Sequence, residues 1–428
     1  MFAENSFMKE YLHKISKYNF WEDEPELGFA RQQYADWAKS FLGNRLIKVF
    51  VGQRRTGKSY ILRQMIAYII STGVSKKNTL YINTEYTAFS FLKTATDLDE
   101  LIKTYKKQLK IQGRFYLFID EIQMIKEWEK VINSYSQDFT EDVEIFVTGS
   151  NASLLTGELA TLIAGRYVKM NVFPFSYEEY SAYLNKNKSR ASYLEYLSTG
   201  GLPELMHLNN EETKRHYLGA LRDTILLRDV IQRHQIKDTE LLTDVFKYIA
   251  NNISTLTSIT NLVNYFGSKK RKTTYDTIAN YLSYIAQTFI IHKCERYDVR
   301  GKEVIGGNAK FYLNDLSFKN YIYDSNQHGY GYLLENMVYI ALLAKGFNVY
   351  VGHLRDKEVD FVAQKNNQTI YIQVAYTVEN ETTREREESS LLTINDNFEK
   401  WIITMDELPY TNRKGIKYIP AWELGEML

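Results

Sequence analysis

Between Leu46 and about residue 172, short runs of β-branched and aromatic residues recur at intervals: Ile47-Lys48-Val49-Phe50-Val51, Thr79-Leu80-Tyr81-Ile82-Asn83, Phe115-Tyr116-Leu117-Phe118-Ile119 and Val143-Glu144-Ile145-Phe146-Val147. Stretches with helical spacing of apolar positions separate them. Near-continuous apolar runs suit strands covered on both faces, so the alternation predicts βαβ units on a parallel sheet. After Phe173-Pro174-Phe175 the pattern turns helical through about Tyr248, interrupted at Gly200-Gly201-Leu202-Pro203. From Asp244 to Phe318 three helical stretches precede a hairpin-like pair, Thr288 to Tyr297 and Ala309 to Leu313, joined by the glycine-bearing stretch Arg300 to Gly307. That order predicts a winged-helix unit. The C-terminal stretch reads helix (Gly331 to Lys345), strands (Phe347 to Gly352, Glu358 to Gln364, Thr369 to Tyr376), helix and strand (Lys400 to Thr404), a small α/β or α+β domain.

Length and composition narrow the class. A chain of 428 residues exceeds one ordinary core and implies several domains. With 44% hydrophobic and 25% charged residues it has the balance of a folded globular protein. Lys plus Arg (53) nearly cancels Asp plus Glu (52), so any contact with nucleic acid must come from a local patch rather than a global field. The single Cys294 forms no intrachain disulfide, and the N-terminal MFAENSFMKEYLHK lacks the apolar core of a signal peptide. No apolar stretch approaches the roughly 20 residues of a spanning helix. A reducing, cytoplasmic setting without membrane contact is the expectation. One cysteine and scattered histidines rule out a cysteine–histidine zinc cluster, and the 34 tyrosines and 22 phenylalanines read as core and strand residues.

Gly52-Gln53-Arg54-Arg55-Thr56-Gly57-Lys58-Ser59 satisfies G-x-x-x-x-G-K-[ST], directly after an apolar strand and opening the helix Tyr60 to Ile70. In that setting the glycines let backbone N–H groups turn around phosphate oxygens, Lys58 adds a point charge, and the Ser59 hydroxyl ligates Mg²⁺. The loop residues Gly52, Arg54, Arg55, Thr56, Gly57, Lys58, Ser59 and the following Tyr60 are the candidate nucleotide contacts. The strand Phe115 to Ile119 ends in Asp120-Glu121, which places Asp120 to reach the metal and Glu121 to polarise a water. A further strand ends in Thr148-Gly149-Ser150-Asn151, where Ser150 and Asn151 are placed to orient that water; alternatively they are turn formers.

The order GQRRTGKS, YINTE, LFIDEIQ, VTGSNASLL, AGR and FPFSYEEY, continued by GGLPE, LRDTILLRDV, KFYLND, LLEN and EVDFV, resembles prokaryotic AAA-type ATPases with a C-terminal restriction-endonuclease-like domain of unknown function. The resemblance spans nearly the whole chain. It implies ATP binding and hydrolysis, Ser150 or Asn151 in the sensor position, and Arg166 as an arginine finger, which requires self-association if it is supplied across a subunit interface; alternatively Arg166 is a surface or salt-bridged arginine. In the tail it implies Glu335 as a helix carboxylate and Asp360 as a metal ligand, with an acid and a lysine on the next strand. There this chain reads Ile372-Gln373-Val374-Ala375-Tyr376, so the pair is missing and the expected nuclease is inactive.

Thr257 to Phe266, the basic run Lys269-Lys270-Arg271-Lys272 and Tyr275 to Phe289 look like helix, turn and recognition-type helix, open to DNA phosphates or to a protein partner. Arg384-Glu385-Arg386-Glu387-Glu388 reads as a solvated helix start. The expectation is therefore an α/β P-loop NTPase parallel sheet of AAA type, then a winged-helix domain and a small restriction-endonuclease-like domain. Residues 1–175 form an N-terminal helix and the ATPase domain, 176–240 a helical linker or lid, 241–320 the winged helix, and 321–428 the nuclease-like domain. The expected activity is an ATP- and Mg²⁺-dependent switch acting on a macromolecular client, with self-association into a homo-oligomer and a DNA or protein client at the C-terminal domains as the open partner readings. An ATP-licensed DNA-processing protein and a nucleotide-binding interaction protein with little turnover are the alternatives.

Overall fold

The computed structural model describes residues 15–21, 25–155, 163–323, 329–355, 357–407 and 411–428. The chain divides into two compact units, Met1–Val172 and Phe173–Leu428. The sequence sets no bounds for the expected N-terminal helix, and residues 1–14 lie outside the described residues.

In the first unit, helix α1 (Gln32–Ser40) precedes strand β1 (Ile47–Val51), helix α2 (Lys58–Ser71), β2 (Thr79–Asn83), α3 (Ala95–Leu109), β3 (Phe115–Asp120), α4 (Trp128–Gln137), β4 (Val143–Gly149) and β5 (Tyr167–Asn171). The strands form one five-stranded sheet in the order β2-β3-β4-β1-β5, with every neighbouring pair parallel. β1 to β4 are the four strands expected. β5 was not, because Tyr167-Val-Lys-Met-Asn lies at the sheet edge and alternates half-buried with exposed positions instead of presenting a continuous apolar run.

Helix α2 buries Ile61, Leu62, Met65, Ile66 and Ile69, a 3.6-period stripe. These pack with Phe50, Tyr81, Phe118 and Phe146 from the sheet. Each fully buried side chain of this size contributes roughly 1.5–3 kcal/mol, so the stripe anchors the helix, and with it the loop that precedes it. Thr72 and Gly73, the latter at φ +97°, end the helix.

The second unit opens with helices α5 (Tyr177–Tyr183), α6 (Arg190–Thr199) and α7 (Glu211–Thr224), the last continuing into a π-helical stretch Ile225–Gln232. Helices α8 (Thr239–Asn251), α9 (Ile259–Ser268) and α10 (Tyr275–Gln287) precede the antiparallel hairpin β6 (Ile291–Asp298) and β7 (Glu303–Leu313). Helix α11 (Tyr330–Ala344), β8 (Asn348–Leu354), β9 (Lys357–Lys365), β10 (Gln368–Ala375), α12 (Glu381–Leu392), β11 (Glu399–Thr404), β12 (Asn412–Arg413), β13 (Ile416–Pro420) and the short α13 (Leu424–Met427) follow.

The hairpin is not a free-standing wing. β6 pairs parallel with β8 through Arg296, Tyr297 and Asp298, so β6 and β7 extend the sheet of the tail, which is eight-stranded in the order β12-β13-β11-β10-β9-β8-β6-β7. The sequence puts a boundary at 320; backbone hydrogen bonds join the strands on either side of it. The run Arg384 to Glu388 also differs from the solvated helix start expected. Glu387 and Glu388 are buried, Glu387 accepting from Gln373 at 2.7 Å and Glu388 from Lys414 at 2.7 Å and Tyr418 at 2.6 Å. Among the described residues no helix is long and apolar enough to cross a membrane.

Candidate functional site

Strand β1 leads into the glycine-bearing loop. A Cβ at Gly52 would stand 2.2 Å from the carbonyl oxygen of Val172, whose N–H donates to Val51 at 2.7 Å. The exit of β5 therefore passes too close for any side chain. Gly57 meets a different demand: it caps α2 in the left-handed conformation at φ +93° with open space around it.

The Lys58 ammonium donates to the carbonyls of Gly52 at 2.9 Å and Gln53 at 3.0 Å, and lies 3.8 Å from the Glu121 carboxylate. The Thr56 hydroxyl donates to the Gln53 carbonyl at 3.0 Å. Arg54 pairs with Glu85 at 3.0 Å, while Arg55 is exposed at φ +68°. Tyr60, partly exposed on the first turn of α2, receives Gly28 against its ring, where a Cβ would come within 2.6 Å. The sequence reading missed Arg31, a buried arginine whose guanidinium donates to the Thr56 carbonyl at 2.9 Å and lies over Tyr34. It ties the segment before α1 to the loop. No motif marks it, since the contact is made by tertiary approach.

At the end of β3, Asp120 is fully buried. It accepts from Tyr81 and Asn83 at 3.0 Å each, from the Thr148 hydroxyl, and from the Ser59 side chain. Burial, with the neighbouring Glu121 charge, pushes its carboxyl above the usual range. Glu121, at φ +54°, shows the opposite balance: burial would raise it, but the Lys58 charge and the amide of Gln123 hold it below the usual range, in its ionised form.

Thr148 at the end of β4 connects the two acids. Its hydroxyl donates to Asp120, and its oxygen accepts from the Glu121 N–H at 3.0 Å. Gln123 donates to Glu121 Oε2 at 2.5 Å and to Ser150 Oγ at 3.3 Å. Ser150 and Asn151 are both buried after β4. Thr148 and Gln123 lie inside the stretches VTGSN and LFIDEIQ, and only the fold separates their roles from those of their neighbours.

Arg166 is not brought to this cluster within one chain. Its carbonyl accepts from the Ile47 N–H at 2.8 Å, at the start of β1, whereas the loop leaves the other end. Five strand residues put about 16 Å between them. The guanidinium donates to Asn133 on α4 at 3.3 Å.

In the second unit the structure gathers Glu335 (α11) and Asp360 (β9) around Lys310 (β7), a residue to which the sequence assigned no role. Gln373 accepts from the Asp360 N–H at 2.8 Å through its amide oxygen. The other amide end is held by Glu387, so neither faces a metal. In the basic run, Arg271 is paired with Glu240 at 2.5 Å and Asp244 at 2.6 Å, and Lys269 donates to Tyr265.

A parallel α/β sheet with this loop at the end of one strand and two acids at the end of another defines a P-loop NTPase, and residues 44–181 match the profile of an AAA domain family. Residues 190–328 and 330–424 match two domains of unknown function, DUF8612 and DUF4143. An uncharacterized protein of Haemophilus influenzae is 35% identical over 401 residues, covering 92% of this chain and 98% of its own. The uncharacterized protein MJ1544 of Methanocaldococcus jannaschii is 30% identical over 412 residues, covering 88% of this chain and 87% of its own. The chain belongs to the family of these two proteins. Among solved structures, a Walker-type ATPase of Pyrococcus abyssi aligns with a TM-score of 0.48 at 15% identity, over 68% of this chain and 95% of that one.

Proposed function

We propose that the protein binds ATP with Mg²⁺ and hydrolyses it, using the energy to switch a macromolecular client between held and released states. The observation that carries this reading is the continuous hydrogen-bonded path from Ser59 through Asp120 and Thr148 to the backbone of Glu121, with Lys58 beside the Glu121 carboxylate. A P-loop alone binds phosphate. A P-loop coupled to an ionised, positioned carboxylate has the parts for hydrolysis.

Ser59 and Asp120 fit a magnesium ion, since a hydroxyl and a carboxylate already in contact form the oxygen donor set that such an ion takes. The ion would neutralise charge on the β and γ phosphates. Loop N–H groups from Gly52 to Ser59 bind the phosphates, and Arg54, Arg55, Thr56 and Tyr60 flank them. Lys58, on exchanging its carbonyl partners for phosphate oxygens, meets the γ-phosphate. Glu121 takes a proton from the water that attacks the γ-phosphorus as the bond to the bridging oxygen breaks, giving ADP and phosphate. Ser150 and Asn151 orient that water. Arg166 acts as the finger of a neighbouring subunit in a homo-oligomer.

The experiment compares ATP binding and turnover in the intact protein with Lys58→Ala and Glu121→Gln. Lys58→Ala is expected to lose binding. Glu121→Gln is expected to keep it while turnover falls by about 10²–10⁴-fold, the usual contribution of a general base. Equal, background turnover in all three would remove the hydrolysis claim and leave a nucleotide-binding interaction protein.

A further inference from the structure

The Lys310 side chain is 5% exposed, and its ammonium lies 3.0 Å from Glu335 Oε1, 2.8 Å from Glu358 Oε1 and 3.6 Å from Asp360 Oδ1. Three carboxylates from α11 and β9 therefore converge on one cation supplied by β7. Two of these acids take further donors from the protein. Asp360 Oδ2 accepts from the Val374 N–H at 2.8 Å, and Glu335 Oε1 also accepts from the Tyr312 hydroxyl at 2.8 Å. Gln373 is spent between the Asp360 backbone and Glu387. A magnesium or manganese ion needs oxygens at about 2.0–2.2 Å in a near-octahedral shell. These carboxylates stand at ammonium distances instead, and among the described residues no group of three or more acids, histidines or cysteines is arranged to hold a metal ion.

We propose that Lys310 is the resident cation of this cluster: its ammonium holds the place a divalent ion would take among Glu335, Glu358 and Asp360, tying β7, α11 and β9 together and leaving the pocket without metal chemistry. The ammonium sits within 2.8–3.6 Å of all three carboxylates, so a divalent ion bound at their point of convergence would have to displace it, and the two are alternative occupants of that one position.

Mn²⁺ binding to the nucleotide-free full chain, and its thermal midpoint with and without Mn²⁺, test the proposal. Wild type is expected to show no Mn²⁺ site that depends on Asp360, as judged against Asp360→Asn. Lys310→Met removes the cation and leaves the acids, so it is expected to gain one Mn²⁺ site, lost again in Lys310→Met/Asp360→Asn. Its midpoint should rise by about 5–10 °C at a hundredfold excess over Kd. A Lys310→Met protein that folds only with Mn²⁺ also supports the proposal; one that folds well and ignores Mn²⁺ overturns it. Should that variant fail to fold under either condition, wild type decides: an Asp360-dependent Mn²⁺ site overturns the proposal, and its absence supports it.

Discussion

Thr148 shows how much of the site rests on single side chains that carry no charge. One hydroxyl donates to Asp120 while its oxygen accepts from the Glu121 backbone, so one residue sets the spacing between the candidate metal ligand and the candidate base. Thr148→Val keeps the shape and removes both bonds. Losing a hydrogen bond to a charged group costs about 1.5–3 kcal/mol, so turnover should fall about 10- to 150-fold. ATP affinity, set by the loop, should change little. Parallel measurements of ATP binding and phosphate release check this; an unchanged release rate would mean that the bridge is only structural. The residues whose chemistry depends on local spacing, Lys58, Ser59, Asp120 and Glu121, were legible in the sequence because a loop and a strand end each bring their own members together. Arg31, Gln123 and Lys310 were not. The partners of Arg31 and Lys310 lie across space, and Gln123 joins its near neighbour Glu121 to the distant Ser150; an arginine, glutamine or lysine alone carries no sign of which carboxylate, carbonyl or hydroxyl it will meet.

At the scale of elements, the apolar runs identified four strands of the first sheet, and the edge strand β5 escaped because an edge need not be apolar on both faces. One central strand also carries a charge. Lys48 of β1 is buried and pairs at 2.7 Å with Glu144 of β4, which is just as buried, and Glu144 further accepts from Arg114 and the Gly43 N–H. Nothing in IKVFV or VEIFV says that the lysine and the glutamate meet; the parallel register of β1 and β4, with Lys48 beside Phe146, decides it. Glu144→Ala should destabilise the first unit by about 3–5 kcal/mol, because it strands a buried ammonium. Chemical denaturation measures this, and a loss below about 1 kcal/mol would show that Lys48 finds another partner. The Gly200-Gly201 break has a tertiary cause too. A Cβ on Gly200 would stand 2.2 Å from Asp315 and one on Gly201 2.3 Å from the Phe175 carbonyl, while the Gly201 N–H donates to Asp315 at 2.7 Å. The segments GGLPE and KFYLND thus meet through one buried carboxylate.

For the whole molecule, the position of Arg166 far along β1 from its own loop makes its proposed role a matter of assembly. If it acts on a neighbour's nucleotide, Arg166→Ala should lower turnover by about 10³-fold or more, the usual contribution of such a residue. Mixing it with Lys58→Ala should restore part of the activity, because each variant supplies what the other lacks at a shared site. Turnover of the mixture, together with the mass in solution with ATP and Mg²⁺, checks this. An active stable monomer would remove the role. The sequence by itself determined the nucleotide loop, the acid pair and the strand-helix alternation around them, since each depends on residues a few positions apart and on a periodicity that burial enforces. Only the tertiary structure decided that the hairpin at 291–313 joins the sheet of the tail, that Lys310 rather than a residue at 375 brings positive charge to Glu335 and Asp360, and that Thr148 links the two acids. These contacts cross dozens of positions, and their energy comes from groups that burial forces to find a partner, whichever part of the chain supplies it.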